Sequence, residues 1–286
     1  MVSEVFYNLL YLQEKKNLLL KNDSMFAEFL SKSILRFNKG ESTILEKTTA
    51  EHQRGQIALQ LAQLAADNDI LQLQFQLLLN TTTTYVPENK EAEVNSISLL
   101  DTTALATHPL MQYWKQQQSI ATANTKMEHA KLLPDFSFGY NLMSMKGVGA
   151  NNIDYNHAPR FQSAQVGLGI PIFRSGQKAK ITASKINEQV AANEYEVNLK
   201  KMQTDYAAVL LQYHKNQATV LYYENTALKN AEAIKTTANK QYQNGEINYL
   251  EWVLLMNQAV AVQSDYVDAI RNRNYSLLEL NYYQNK

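Results

Sequence analysis

Asp135-Phe136-Ser137-Phe138-Gly139-Tyr140-Asn141-Leu142 alternates apolar residues with small or polar ones. Phe136, Phe138, Tyr140 and Leu142 fall on one side, and Ser137, Gly139 and Asn141 on the other, as in a β-strand with one apolar face. A second run places Ala164, Val166, Leu168, Ile170 and Ile172 on one side and Gln165, Gly167, Gly169 and Pro171 on the other. Together they predict a β-hairpin over residues 135–173, with a Gly- and Asn-containing loop over 144–160. Strands of about 9 to 11 residues suit the wall of an outer-membrane barrel. A soluble hairpin laid on helices needs the same alternation, so both readings stand on this pattern alone. In lipid a lone hairpin would leave edge N–H and C=O groups without partners, and closure with other strands would be required.

The flanks read as helix. There are only 9 glycines and 5 prolines, and the prolines (Pro87, Pro109, Pro134, Pro159, Pro171) all lie in the middle of the chain. Long uninterrupted helices follow from so little punctuation. The spacing predicts a helical hairpin over 1–80 with its turn at Gly40, a polar connector over 81–106, and a second unit over 107–286. That unit opens with a helix over 107–132, which Thr107 would cap and Pro109 would start. After the hairpin comes a rod over 176–242, on the order of 100 Å long, then a turn at Gly245 and a helix over 249–283. Leu199, Met202, Tyr206, Val209 and Tyr213, and then Val220, Tyr223 and Ala227, alternate steps of three and four as in a coiled-coil seam. Small residues at many seam positions point to helices laid side by side. The fold class is therefore mainly α, with long antiparallel coiled-coil hairpins and one β-hairpin.

The two glycine breaks resemble one another. Phe37-Asn38-Lys39-Gly40-Glu41-Ser42-Thr43-Ile44-Leu45-Glu46 aligns with Tyr242-Gln243-Asn244-Gly245-Glu246-Ile247-Asn248-Tyr249-Leu250-Glu251. An aromatic three residues before the glycine, Gly-Glu, and Leu-Glu five and six residues after it recur in register. Duplication of a helical hairpin accounts for this pattern; two unrelated hairpins ending in glycine caps would share part of it.

Several functions are disfavoured. Lys+Arg and Asp+Glu number 27 each, which gives no basic stripe for nucleic acid. With no cysteine there is neither a disulfide framework nor a thiolate metal site. His52, His108, His129, His157 and His214 do not form the close helical pairs of a metal site, and Met143-x-Met145 reads as packing. Gly147-x-Gly149 and Gly167-x-Gly169 lack the third glycine of a dinucleotide fold. Neither enzyme chemistry nor a cofactor is indicated, and no apolar run is long enough for a membrane helix. The opening residues lack the pattern of an export signal.

His108-Pro109 opening a helix, Leu132-Leu133-Pro134-Asp135-Phe136 leading into a strand, Gly169-Ile170-Pro171-Ile172-Phe173 with Ser175-Gly176 leading out of another, and the two Phe/Tyr-x-x-Gly turns occur in a set order. In that order they resemble the TolC family of outer-membrane efflux ducts. The resemblance implies a homotrimer in which each chain adds β-hairpins to a barrel in outer-membrane lipid and helical pairs to a periplasmic α-barrel. By it, the chain carries the second half of a first repeat and all of a second, and is N-terminally truncated. The turns, with Phe37, Asn38, Gly40, Glu41, Tyr242, Asn244, Gly245 and Glu246, would dock a periplasmic membrane-fusion adaptor. Glu251 and its repeat mate Glu46 would stand at a periplasmic gate. Phe136, Phe138, Tyr140, Leu142, Val166, Leu168 and Ile170 would face lipid, with Phe136, Tyr140, Phe161 and Phe173 as aromatic girdles near the strand ends. The implied role is passive export of small solutes or metal cations delivered by an inner-membrane pump of the resistance-nodulation-division type, with a lean toward the metal-cation branch. A soluble coiled-coil scaffold is the rival class.

Overall fold

The computed structural model describes residues 2–88, 102–144, 146–156 and 161–283. The elements are α1 (Val2–Asn38), α2 (Ile44–Leu79), a 3-10 turn (Thr102–Thr107), α3 (Pro109–Ala130), β1 (Asp135–Met143), β2 (Gly147–Val148), β3 (Asp154–Tyr155), β4 (Phe161–Gly169), α4 (Ser175–Tyr222), a π turn (Tyr223–Ala227), α5 (Leu228–Gln243) and α6 (Tyr249–Tyr283). The mainly α class with one principal β-hairpin is as read from the sequence. The expected connector falls partly on residues 89–101, outside the described residues. Contacts divide the chain into two compact units, Met1–Leu100 with Thr204–Lys286, and Asp101–Gln203. This cut passes through α4, whereas the sequence division followed the repeats.

In the first unit α1 lies against α2 and α6, and α6 lies against α5, giving the order α2–α1–α6–α5. Val5, Leu12, Leu19, Phe26 and Ser33 recur every seven residues along α1, all buried, with Leu9, Asn22 and Phe29 between them. That is the heptad arrangement of a helix whose covered side is a narrow seam. Toward Gly40, Phe26 and Phe29 join Ala50 and Ile57 of α2, Ala238 of α5 and Tyr249, Trp252, Val253 and Met256 of α6 in one apolar cluster. Toward the other end of α1, Val5 and Leu9 meet Phe75 of α2. Between these clusters Lys15 Nζ donates to Asp268 (2.9 Å) and to Ser264 Oγ (2.8 Å), and the Tyr11 hydroxyl donates to Asp268 at 2.6 Å. Burial, with the Asp268 carboxylate next to it, pushes the Tyr11 phenol up to about 12.

The predicted rod contains a wide turn. Met202, Tyr206, Val209, Tyr213, Asn216 and Val220 keep alternating steps of four and three on the covered side, and Tyr223 and Ala227 continue them. The next step of three would bury Asn230. Asn230 is exposed, and Ala231, one residue later, is buried instead. A seam that slips by one residue needs one residue of extra length, which the π turn over Tyr223–Ala227 supplies. Below it the buried residues are Ala227, Ala231 and Ala238, whose small side chains let α5 come close to α6.

In the second unit His108, rather than Thr107, caps α3: its Nδ1 accepts from the Leu110 N–H at 3.2 Å, and Pro109 takes the first helical position. α3 and the 175–203 stretch of α4 meet through hydroxyl and amide groups, Thr125 Oγ1 to Ser184 Oγ (3.0 Å), Thr122 Oγ1 to Glu188 (2.8 Å) and Gln177 Nε2 to the Glu128 carbonyl (2.8 Å). β1 and β4 pair antiparallel from Asp135↔Gly169 to Met143↔Phe161. The hairpin ends at Gly169, short of the expected 173. Ile170 therefore lies beyond the paired strand, because Pro171 has no N–H for a ladder and Pro134 bounds the opposite strand. The loop between the strands is partly regular, since β2 and β3 pair at Gly147↔Tyr155 and Val148↔Asp154. Met145 and His157 lie outside the described residues.

Close packing at the alanine seam yields a test. Ala231→Leu forces a larger side chain between α5 and α6 and should cost about 1–3 kcal/mol in urea unfolding, whereas Asn230→Leu on the exposed side should stay within about 0.5 kcal/mol of the parent.

Candidate functional site

The two turns share one backbone construction. Gly40 has φ 75° and Gly245 φ 74°, the left-handed conformation in which a side chain would be strained. The Gly40 N–H donates to the Phe37 carbonyl (3.0 Å) and the Glu41 N–H to the Arg36 carbonyl (2.8 Å). Gly245 N–H to Tyr242 (3.1 Å) and Glu246 N–H to Gln241 (2.9 Å) repeat the pair. Both are Schellman ends, in which an αL residue lets the chain satisfy the last helical carbonyls. Their exits differ. Asn248 and Glu251 form a reciprocal capping box at the start of α6, Asn248 N–H to Glu251 Oε2 (2.9 Å) and Glu251 N–H to Asn248 Oδ1 (3.0 Å). Thr43, before α2, makes no side-chain cap.

The turns are joined to each other. Arg36 Nη1 donates to Glu46 Oε1 at 3.0 Å and to the Tyr242 hydroxyl oxygen at 2.9 Å, and the Tyr242 O–H lies 3.4 Å from Glu46 Oε1. Beneath this link Phe29 stacks on Tyr249 (4.6 Å between centroids) and on Trp252 (4.3 Å), and the Trp252 indole N–H donates to Asn239 Oδ1 at 2.8 Å. An open groove of about 970 Å³ runs over these groups, lined also by Lys39 and Asn244. Burial, followed by the Glu46 charge, raises the phenols of Tyr242 and Tyr249 above the ordinary tyrosine value. The Tyr249 hydroxyl is buried without a hydrogen-bond partner.

The residues expected at the turns separate into two groups. Asn38, Gly40, Glu41, Asn244, Gly245 and Glu246 are exposed, and Phe37 and Tyr242 are partly covered. Glu46 and Glu251, the repeat mates expected at a gate, sit in different surroundings. Glu251 is exposed and closes its own helix start, while Glu46 is 8% exposed and bound in the cross-turn link. The sequence reading missed Arg36, Phe29 and Asn248. Asn248-x-x-Glu251 is a legible capping signature; nothing local marks Arg36 as the partner of Tyr242.

On the hairpin, the register puts Phe136 beside Leu168 and Phe138 beside Val166 on one face, with Tyr140 and Leu142 continuing it. Phe136 is 80% exposed and Val166 81%, so among the described residues nothing covers these positions of the face. The girdle expectation is met only in part. Tyr140 sits within β1, Phe161 lies on the opposite face across from Met143, and Phe173 follows the strand end. Among the described residues there is no cluster of three or more His, Asp or Glu groups arranged to hold a metal ion, and no helix is long and apolar enough to cross a membrane.

The model of the family described as outer membrane efflux protein matches residues 100–283. The chain belongs to the outer membrane efflux protein family. Membership places it at the outer membrane. Solved structures agree on the fold of this family member. The outer-membrane channel OprN superposes with TM-score 0.82 at 16% identity, over 99% of this chain and 64% of the channel. The outer membrane protein VceC from Vibrio cholerae gives 0.82 at 14%, over 99% and 68%. A membrane protein from Pseudomonas aeruginosa gives 0.88 at 14%, over 99% and 66%. The efflux-family chain thus spans about two thirds of the length of each. No curated protein matches it.

The buried phenols generate a pH test. A phenol whose proton is held more tightly in the fold than in the unfolded chain contributes stability that is complete below its ordinary value of 10.0 and is lost as pH rises above it. Urea midpoints should therefore fall between about pH 9 and pH 11. Tyr249→Phe should shrink that fall and raise stability near neutrality by about 1 kcal/mol, because it removes an unsatisfied hydroxyl.

Proposed function

We propose that the chain is a stave of an outer-membrane export duct. Three copies close their β-hairpins into a barrel in lipid and their long helices into a periplasmic tube. Solutes delivered by an inner-membrane pump, of the resistance-nodulation-division type, pass through a periplasmic adaptor seated on the turns at Gly40 and Gly245. The cargo class is small solutes or metal cations, and the chain supplies a path rather than chemistry. One observation carries the reading: a paired two-stranded ribbon with a largely apolar, exposed face and two open edges, in a chain of this family. Such a ribbon is stable in hydrocarbon only when its edges are paired and its apolar face meets lipid.

The partly covered Phe37 and the exposed Asn38, Glu41, Asn244 and Glu246 form the adaptor contact. The Arg36–Glu46–Tyr242 link lies at the periplasmic end and holds one helical hairpin to the other. An adaptor that separates the turns must break it, so Glu46 acts in the gate as a tie between helices. Glu251, exposed beside the second turn, supplies the charge that three copies would bring together. Residues 1–80 are read as the second half of a first repeat and 107–286 as a complete second one.

The membrane reading is tested with the full chain in liposomes. Val166→Arg on the apolar face should lower insertion by about 2–4 kcal/mol, while Ser163→Arg on the opposite face leaves it near the parent value. Equal effects, or a parent that stays in the supernatant, support a soluble scaffold and overturn the duct. In planar bilayers, Arg36→Ala with Tyr242→Phe should raise the fraction of time spent conducting; an unchanged record removes the link from the gate.

A further inference from the structure

Asn244-Gly245 is the one Asn-Gly pair in the chain, and it forms the second turn. Glycine has no side chain to shield its nitrogen, so in such a pair the backbone nitrogen can approach and attack the amide carbon of the preceding asparagine. The first turn has Lys39 at the matching position and cannot react in this way. Asn244 and Gly245 are both exposed to water.

The closed turn holds the reacting atoms in an unreactive arrangement. The Gly245 N–H donates to the Tyr242 carbonyl at 3.1 Å, so the nitrogen that must lose its proton is committed to a hydrogen bond. The Asn244 amide nitrogen, which would leave, donates to Glu246 Oε1 at 3.0 Å. Asn244 has helical backbone angles, φ −80° and ψ −5°, and its own N–H donates to the Lys240 carbonyl at 3.0 Å. Closing a five-membered ring requires the peptide plane between Asn244 and Gly245 to rotate until the face of the nitrogen meets Cγ, which breaks the helix end. Ring closure therefore starts from an opened turn. The link from Arg36 to the Tyr242 hydroxyl, 2.9 Å long, holds the very residue whose carbonyl keeps the turn shut.

We propose that Asn244 is a site of spontaneous deamidation whose rate is set by opening of the second turn. The Gly245 nitrogen bonds to Asn244 Cγ, the bond from Cγ to the amide nitrogen breaks, and ammonia leaves with the proton from the Gly245 nitrogen. Solvent water then opens the cyclic imide. Opening at the side-chain carbonyl gives aspartate, and opening at the main-chain carbonyl gives isoaspartate, with no oxidation or reduction in either step. Isoaspartate routes the backbone through the side-chain carbon and lengthens it by one CH2 group. A turn lengthened at that point cannot keep both hydrogen bonds of its Schellman end. Either product also places a carboxylate in the groove that Lys39 lines. The change is one-way, falls on the second turn alone, and is independent of transport.

The full chain in detergent is incubated in warm, mildly alkaline buffer beside a synthetic peptide of residues 239–251. Digestion and mass spectrometry follow the change of the Asn244 amide to a carboxylate, and an isoaspartyl methyltransferase reports the isoaspartate. The folded chain should react about tenfold or more slowly than the peptide, because only its open fraction is reactive. Arg36→Ala with Tyr242→Phe should move the rate several-fold toward that of the peptide. Glu246→Ala, an exposed change that frees the leaving group, should also raise it. Asn244→Gln, which would have to close a six-membered ring, should remove the signal. Far-UV circular dichroism identifies a variant whose rate comes from general unfolding, and Glu246→Ala then decides alone. A folded chain that reacts as fast as the peptide overturns control by the turn. The proposal also falls if both variants keep the parental rate, or if the peptide reacts while no folded form yields aspartate or isoaspartate at 244.

Discussion

A sheet of helices one layer deep leaves each helix with a covered side and an uncovered side, and most of this structure answers to that limit. The seam of α1 is narrow, one residue in every seven with partners between, because there is no wide interior to fill. Tight cohesion is concentrated where four helices converge near the turns, with Phe26, Phe29 and Trp252 at its centre. Elsewhere in the first unit a smaller apolar cluster of Val5, Leu9 and Phe75 is supplemented by polar clamps such as Lys15–Asp268. The hairpin of β1 and β4 obeys the same limit in two-dimensional form, with its backbone paired on one edge of each strand only. Apolar surface of this extent on a monomer marks a place of association.

Cohesion near the turns also connects the architecture to its proposed work. The aromatic stack is held by ring-to-ring packing, while the group directly above it is an ion pair shared with a phenol. A binding partner at the groove can disturb the polar layer without unpacking the rings. Stability and response are thereby assigned to different side chains a few ångströms apart.

Much of this was legible because the signals were local. The strands could be read from Phe136 to Leu142 since alternation needs only the chain itself, and the turns from Gly40 and Gly245 since the left-handed conformation selects glycine. Boundaries were missed where neighbouring residues competed. Thr107 has the conventional capping hydroxyl, yet it is the His108 ring nitrogen that accepts from the Leu110 N–H. Ile170 continued the alternation but stood next to a proline. The site was harder to read, because its chemistry lies between segments far apart in sequence. Glu46 and Glu251 match in the repeat, and only packing shows that one is sealed against Arg36 while the other caps a helix.

The π turn over Tyr223–Ala227 places one residue in the rod that the seam does not count. Helix phase is thus broken once, at a fixed spot, and the bulky-faced portion above and the alanine-faced portion below need not keep a common repeat. Each portion is free to drift in sequence under its own packing rules, and a one-residue insertion or deletion at this joint is absorbed by widening or tightening a single loop of backbone instead of rotating every side chain beyond it.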